Sequence, residues 1–226
     1  MGTDRVLRAE SLSRLEWLVH GFGTRRSVGW LNTTRVATAK QVHSNRILVV
    51  ESTGLQGEGD ALISNGPGIG LAIRTADCLP ILMADPANRA VAAIHAGWRG
   101  VILEIASKTV EAMTQRFGSK PEDLLIAIGP GIGPCCFEVG PEVSTQFQLS
   151  GRAKVDIIET TTRQLRRKGV RESQISASRL CTYCNVELFE SYRRDRGAAG
   201  RMISMIEVGE SAGFSDRGEP NLPAPC

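Results

Sequence analysis

Between residues 36 and 94, apolar and β-branched side chains come in short bursts parted by glycine and polar residues, and at Trp98 that pattern gives way to a helical one. The bursts are Val36 to Val42, Ile47 to Val50, Ile69 to Ile73, Leu79 to Met83 and Val91 to Ile94. Each has strand length and side chains that favour extended backbone. From Trp98 onward Ile102, Ile105, Ala106, Val110, Met113 and Phe117 recur at three- and four-residue steps, which predicts one long core-packing helix ending at Gly118. Leu124 to Ile128 reads as a further strand, and the glycine- and proline-rich GPGIGPCC at 129–136 is incompatible with regular structure. Pro141 opens a helix over Glu142 to Phe147, Asp156 to Lys168 gives another, and a strand follows near Gln174 to Ser178. Strands and helices mix with no internal repeat and no long linker. The expected fold is therefore α+β (mixed α/β): one compact domain over 1–226, mixed β-sheets flanked by helices, with 209–226 a flexible tail.

A chain of 226 residues that is 42% hydrophobic and 23% charged can bury a full core. Its 27 basic and 24 acidic residues nearly balance at a formal charge of +3, which gives no reason to expect a nucleic-acid partner. The densest basic run, Arg163 to Arg171, has no interleaved aromatic residues on which bases could stack and reads as a solvated helix face. The N-terminal segment scatters charge and lacks the apolar stretch of a signal peptide, and no window approaches the roughly 20 apolar residues of a membrane span. Met1-Gly2 is not read as a myristoylation start, because Val6 stands where that motif needs a small hydroxyl residue. The six cysteines are accordingly expected as thiols or thiolates in the cytoplasm.

Two of the three histidines stand in unusual sequence. His43 closes Gln41-Val42-His43 at a strand end, and His95 opens His95-Ala96-Gly97-Trp98-Arg99-Gly100 between a strand and a helix. Between them Cys78, in Thr75-Ala76-Asp77-Cys78-Leu79-Pro80, falls at the break between two apolar segments, where a side chain can face a cleft. Two imidazoles and a thiolate suit zinc, with a fourth position left open for water or substrate, and an open position means catalysis. The spacing matches no compact metal motif, however, and each residue alone also reads as a packed, hydrogen-bonded core side chain.

The phrases HGFGTR (20–25), QVHSNRI (41–47), GDALIS (59–64), TADCLP (75–80), AAIHAGWRG (92–100), IGPGIGPCCFEVG (128–140), CTYC (181–184) and SYRRDRGAAGR (191–201) strongly resemble the laccase-domain family. Its members are also called polyphenol oxidases or YfiH-type purine nucleoside phosphorylases. The resemblance implies a YfiH-like fold, grouped with that of toxin deamidases, and a zinc site made by His43, Cys78 and His95. It also implies phosphorolysis of adenosine, inosine and methylthioadenosine to free base and ribose 1-phosphate, together with adenosine deamination; copper-dependent oxidation of polyphenols is the older claim. One departure is the short segment Arg26 to Lys40 between HGFGTR and QVH, where the family usually carries a longer glycine-rich stretch and a helix.

Phosphorolysis needs an anion placed beside the ribose, and Arg25, Arg193 and Arg194 are the candidates to clamp phosphate oxygens. Each also reads as half of a surface ion pair. Deamination needs a carboxylate to shuttle protons, and Asp77, next to Cys78, is the candidate; its plain reading is a turn residue. A multicopper oxidase needs more imidazoles than three histidines supply, so copper ranks behind zinc. An alternative of another class uses Cys78 as a thiolate nucleophile activated by His95, a hydrolase or deamidase without metal, which leaves His43 idle. Cys135, Cys136, Cys181 and Cys184 would suit a second, structural zinc of four thiolates, although reduced packing thiols are the plainer account. The GPGIGP loop lacks the lysine and hydroxyl of a triphosphate-binding loop.

Overall fold

A computed structural model describes residues 6–27, 29–31 and 33–209; residues 210–226 of the expected tail, and Met1-Gly2, lie outside the described residues. The strands are β1 (Leu18–Phe22), β2 (Val36–Lys40), β3 (Ile47–Val49), β4 (Gly54–Glu58), β5 (Ala61–Ser64), β6 (Gly70–Thr75), β7 (Leu79–Asp85), β8 (Ala90–Ala96), β9 (Leu125–Ile128), β10 (Glu138–Val139), β11 (Ala153–Lys154), β12 (Ile175–Ala177) and β13 (Met202–Val208). The helices are α1 (Glu10–Ser13), α2 (Trp98–Ile102), α3 (Ile105–Phe117), α4 (Pro141–Ser144), α5 (Ile157–Arg167) and α6 (Tyr192–Asp195). One sheet runs β1-β13-β6-β2-β4, a second runs β12-β9-β7-β8-β5-β3, and both mix parallel and antiparallel pairs. Among the described residues no helix is long and apolar enough to cross a membrane.

Strand periodicity explains the layering. In β7 the side chains of Leu79, Ile81 and Met83 join one apolar cluster with Val101, Ile105, Val110 and Ile158 of the helices. Leu82 and Ala84 turn the other way and meet Leu71, Ile73, Met202 and Ile206 of the first sheet. With alternate side chains on opposite faces, β7 is apolar from Leu79 to Ala84 because both faces are covered. The expected α+β architecture of mixed sheets flanked by helices is thus the observed one.

Three local differences from the sequence expectations have physical causes. The long helix from Trp98 is two helices, because Glu104 takes a left-handed conformation (φ 57°) between α2 and α3. Gly118 then closes α3 at φ 73°, as a C-terminal glycine should. The strand at Val36 stops at Lys40, since Val42 and His43 bend toward the carboxylate of Asp60. And β13, unassigned from sequence, pairs on both sides, with β1 and β6. The basic run on and after α5 is exposed and paired: Arg166 with Glu172, Arg167 with Glu104, Lys168 with Glu111.

The third histidine, His20, is only 2% exposed in β1. Its Nε2 accepts the Ala9 N–H at 3.0 Å, which requires a neutral ring. Burial, and then the positive charge of Arg8, hold its pKa down from 6.5 to about 4. The unfolded chain therefore binds more protons than the native one between these values, so the stability His20 contributes is full above about pH 6.5 and is lost as pH falls toward 4. That loss is on the order of 3 kcal/mol at 1.36 kcal/mol per pKa unit. Urea denaturation at pH 7 and pH 4.5 is expected to show it in the wild type and to show a clearly smaller change in His20→Gln; equal changes would contradict the assignment.

Candidate metal centre and cleft

His43, Cys78 and His95 come from three separate turns and strands. His43 lies just past β2 with φ 58°, Cys78 immediately precedes β7, and His95 is the penultimate residue of β8 rather than a residue beyond it. Histidine is among the side chains that tolerate the left-handed region, and such backbone at a site is held by its surroundings. The antiparallel pairing of β7 with β8 sets Pro80 opposite His95 and so brings Cys78 beside it. The candidate ligand atoms of the three residues lie within 4.8 Å of one another. Cys78 Sγ is 3.9 Å from His43 Nε2, and the two imidazoles meet edge to face at 4.8 Å between centroids.

Asp60, which sequence reasoning did not single out, organises this trio. Its carboxylate accepts N–H bonds from Val42, His43 and Ser44 at 3.3, 3.0 and 2.7 Å, and the Ser44 hydroxyl at 2.7 Å. On the other side His95 Nδ1 lies 2.8 Å from Asp60 Oδ1. An ionised carboxylate only accepts, so Nδ1 carries a proton toward Asp60 and Nε2 is the nitrogen left to serve a ligand. Burial opposes charge on the ring, but the bonds to Asp60 and Cys78 raise its pKa to about 9, so a metal ion would displace the Nε2 proton. A carboxylate behind a metal-binding histidine sets its tautomer and orientation in this way. Burial pushes the Asp60 acid up, but the bonds from His95 and Ser44 outweigh it and hold the pKa at about 2. Burial likewise opposes charge on Cys78, yet His43 and His95 bring its thiol down to about 7. The one available signal for Asp60 was its place in GDALIS, a phrase with no chemistry of its own.

Gly97 explains part of HAGWRG. Its φ of −72° is ordinary, but a Cβ there would stand 2.9 Å from His43 Cδ2 and 3.0 Å from Cys78 Sγ. If a metal ion is held at this centre, Gly97→Ala is expected to weaken its binding by at least about tenfold, or about 1.4 kcal/mol. Competition with a chelator measures it, and an unchanged affinity would detach His43 and Cys78 from the ion.

The trio opens into a cavity of about 970 Å³ lined by Lys40, Arg74, Arg99, Arg193, Arg196 and Arg201, against one carboxylate among the described residues, Asp77. Trp98, Phe137 and Tyr192 add aromatic surface, with Tyr192 52% exposed. Of the three arginines expected to clamp phosphate, only Arg193 lines this cavity. Arg25 instead bonds Glu190 and the Val186 carbonyl, and Arg194 is spent on Asp195 and the carbonyls of Thr182, Tyr183 and Phe189. Both arginines brace the 182–190 segment. Asp77 sits at φ 81°, with Oδ1 accepting the Thr182 hydroxyl and Oδ2 the Arg193 N–H, each at 2.6 Å. That arrangement fastens the cleft wall and leaves the carboxylate poorly placed to shuttle protons. The glycines of the 129–133 loop serve close packing, since a Cβ on Gly129 would strike the Phe22 ring at 2.3 Å and one on Gly131 would strike Leu79 at 2.4 Å.

Residues 24–209 match the family described as multi-copper polyphenol oxidoreductase laccase. A purine nucleoside phosphorylase of Clostridium acetobutylicum is 36% identical over 187 residues, covering 78% of each chain. The purine nucleoside phosphorylase YfiH of Escherichia coli is 38% identical over 180 residues, 74% of this chain and 71% of that one. Among solved structures, YlmD from Geobacillus stearothermophilus superposes with a TM-score of 0.85 at 29% identity, covering 93% of this chain and 98% of the other. The YfiH protein of Bacillus licheniformis gives 0.82 at 27% identity, covering 91% and 97%.

Proposed function

This chain belongs to the multi-copper polyphenol oxidoreductase laccase family, and we propose that it acts as a zinc-dependent purine nucleoside phosphorylase, with the ion on His43, Cys78 and His95. The observation that carries this reading is the position of that trio, with its carboxylate-oriented histidine, on the wall of a cleft lined by six cations. The relatives named as purine nucleoside phosphorylases support the same activity.

The donor set of two imidazoles and a thiolate fits zinc with a position left open. When bound there, zinc supplies a Lewis acid that polarises a phosphate or hydroxyl oxygen. The rest of the work falls to the protein. Arg193 and the other cleft cations draw hydrogen phosphate in and hold its oxygens toward the ribose. Tyr192 offers the purine an exposed aromatic face. A phosphate oxygen then bonds to the ribose C1′ as the bond from C1′ to the purine nitrogen breaks, and the proton that hydrogen phosphate carried ends on the free base.

Adenosine deamination at the same centre ranks second, since it needs a free carboxylate and Asp77 is engaged on both oxygens. Copper-dependent oxidation of polyphenols ranks lower still. Of the three histidines His20 is packed in the core, which leaves two imidazoles for the site. The metal-free alternative draws on the line Asp60, His95, Cys78, in which the thiol is held near pKa 7. The experiment is to supply inosine and adenosine with and without inorganic phosphate. Phosphorolysis predicts free base and ribose 1-phosphate in equal amounts, only with phosphate. Base release independent of phosphate, or ammonia without base, would overturn it.

A further inference from the structure

Four cysteines outside the cleft form a second cluster, and we propose that they bind a structural zinc ion as four thiolates. Cys135 and Cys136 lie on the loop after β9, and Cys181 and Cys184 on the turn after β12. The two segments are tied together by a bridge between Gly131 and Cys181 and by the Thr182 N–H donating to the Gly131 carbonyl. Cys184 Sγ stands 3.7 Å from Cys135 Sγ and 3.5 Å from Cys136 Sγ, and all four sulfurs lie within 4.8 Å of one another. A regular tetrahedron with zinc–sulfur bonds of about 2.3 Å has edges of about 3.8 Å. The two edges from Cys184 match that spacing and the other four are no longer than 4.8 Å, whereas a disulfide would hold two sulfurs at about 2.05 Å.

The surroundings of Cys181 suit a thiolate, whereas burial and its cysteine neighbours push the Cys135 thiol up until an ion neutralises the cluster. Cys181 is 1% exposed, yet its sulfur accepts the Gly133 N–H at 3.3 Å and also faces the amides of Tyr183 and Cys184. A packing thiol needs no such set of donors, while a buried thiolate does. Gly133 leaves room for the cluster, since a Cβ there would come 3.3 Å from both Cys135 Sγ and Cys181 Cβ. Four soft sulfur donors in tetrahedral array with no open position are the chemistry of a closed structural zinc site. On binding, each thiol gives up its proton to solvent and the ion takes the sulfur lone pairs, with no change of oxidation state.

The ion would act on the cleft through Asp77, whose carbonyl also accepts the Ile132 N–H at 2.8 Å from the first cysteine loop. Thr182, inside the Cys181-to-Cys184 turn, donates its hydroxyl to Asp77, the neighbour of Cys78. Joining the two cysteine segments fixes Thr182 and hence the wall that carries Asp77 and Cys78. In this role Cys184 and its partners are positioning residues.

The test is elemental analysis of the full-length protein, purified with a reductant, as wild type, Cys78→Ser and Cys184→Ser. The expected contents are two, one and one zinc per chain. Cobalt loaded into Cys78→Ser is expected to give the intense sulfur-to-cobalt absorption of a four-thiolate site, which Cys184→Ser lacks. If Cys184→Ser does not fold, the Cys78→Ser protein decides alone. Cys78→Ser free of zinc, with the four thiols reacting freely with a thiol reagent in the native state, or a disulfide within the cluster found by peptide mapping, would overturn the proposal. Wild type with one zinc that Cys78→Ser retains would keep this site and remove the ion from the cleft, so the two readings fail separately.

Discussion

Replacing Cys78 by alanine is expected to lower phosphorolysis at least about 10³-fold and to remove one equivalent of zinc, while the protein still folds. A loss of about 4 kcal/mol of transition-state stabilisation corresponds to such a factor. The thiolate is the only anionic donor in the trio, and without it only the two imidazoles remain. Folding is expected to survive because Cys78 is half-buried at the cleft, outside both apolar clusters. Activity assays, elemental analysis and circular dichroism on one preparation check all three parts. Full activity in the variant would count against both the metal and the nucleophile readings, since each needs this sulfur.

Asp60→Asn is expected to have the second largest effect. Asparagine keeps the shape of the side chain, but one of its ends donates, whereas Asp60 accepts at both: Oδ1 from the His43 N–H and His95 Nδ1, Oδ2 from the Val42 N–H and the Ser44 N–H and hydroxyl. Loss of the orienting carboxylate lowers metal affinity by about 10- to 100-fold in comparable sites. One buried amide hydrogen left facing a donor adds a stability loss of about 1–3 kcal/mol. A structural role alone would lower only the melting temperature. The positioning role predicts in addition a weakened zinc constant in protein that is fully folded at the assay temperature, and an unchanged constant there would limit Asp60 to folding.

The sequence carried the fold class and the trio, for different reasons. The unbroken apolar runs Leu79 to Met83 and Val91 to Ile94 are dictated by burial on two faces, so the central strands were legible from composition and length. His43, Cys78 and His95 share no local spacing, and it was the resemblance carried by QVH, TADCLP and HAGWRG that joined them. Asp60 escaped because its bond to His95 spans 35 residues and depends on β5 pairing with β8. Arg25 and Arg194 were drawn toward the cleft by their motifs, while the actual cationic lining comes from Lys40, Arg74, Arg99, Arg196 and Arg201 together with Arg193. These residues stand on separate strands, helices and loops, and only the folded chain brings them together. The break at Glu104 was hidden for the opposite reason: the apolar stripe of α2 and α3 faces the same core and keeps its helical step across the interruption.

The account rests most directly on the need for the ion in phosphorolysis. The decisive measurement is phosphate-dependent release of hypoxanthine from inosine by wild-type protein stripped with a chelator and then reloaded with zinc. The account predicts that stripping abolishes the release and that zinc restores it, but not in Cys78→Ala. Undiminished release by stripped protein shown to be free of metal would contradict it and leave Cys78, with His95 and Asp60 behind it, as a nucleophile in its own right.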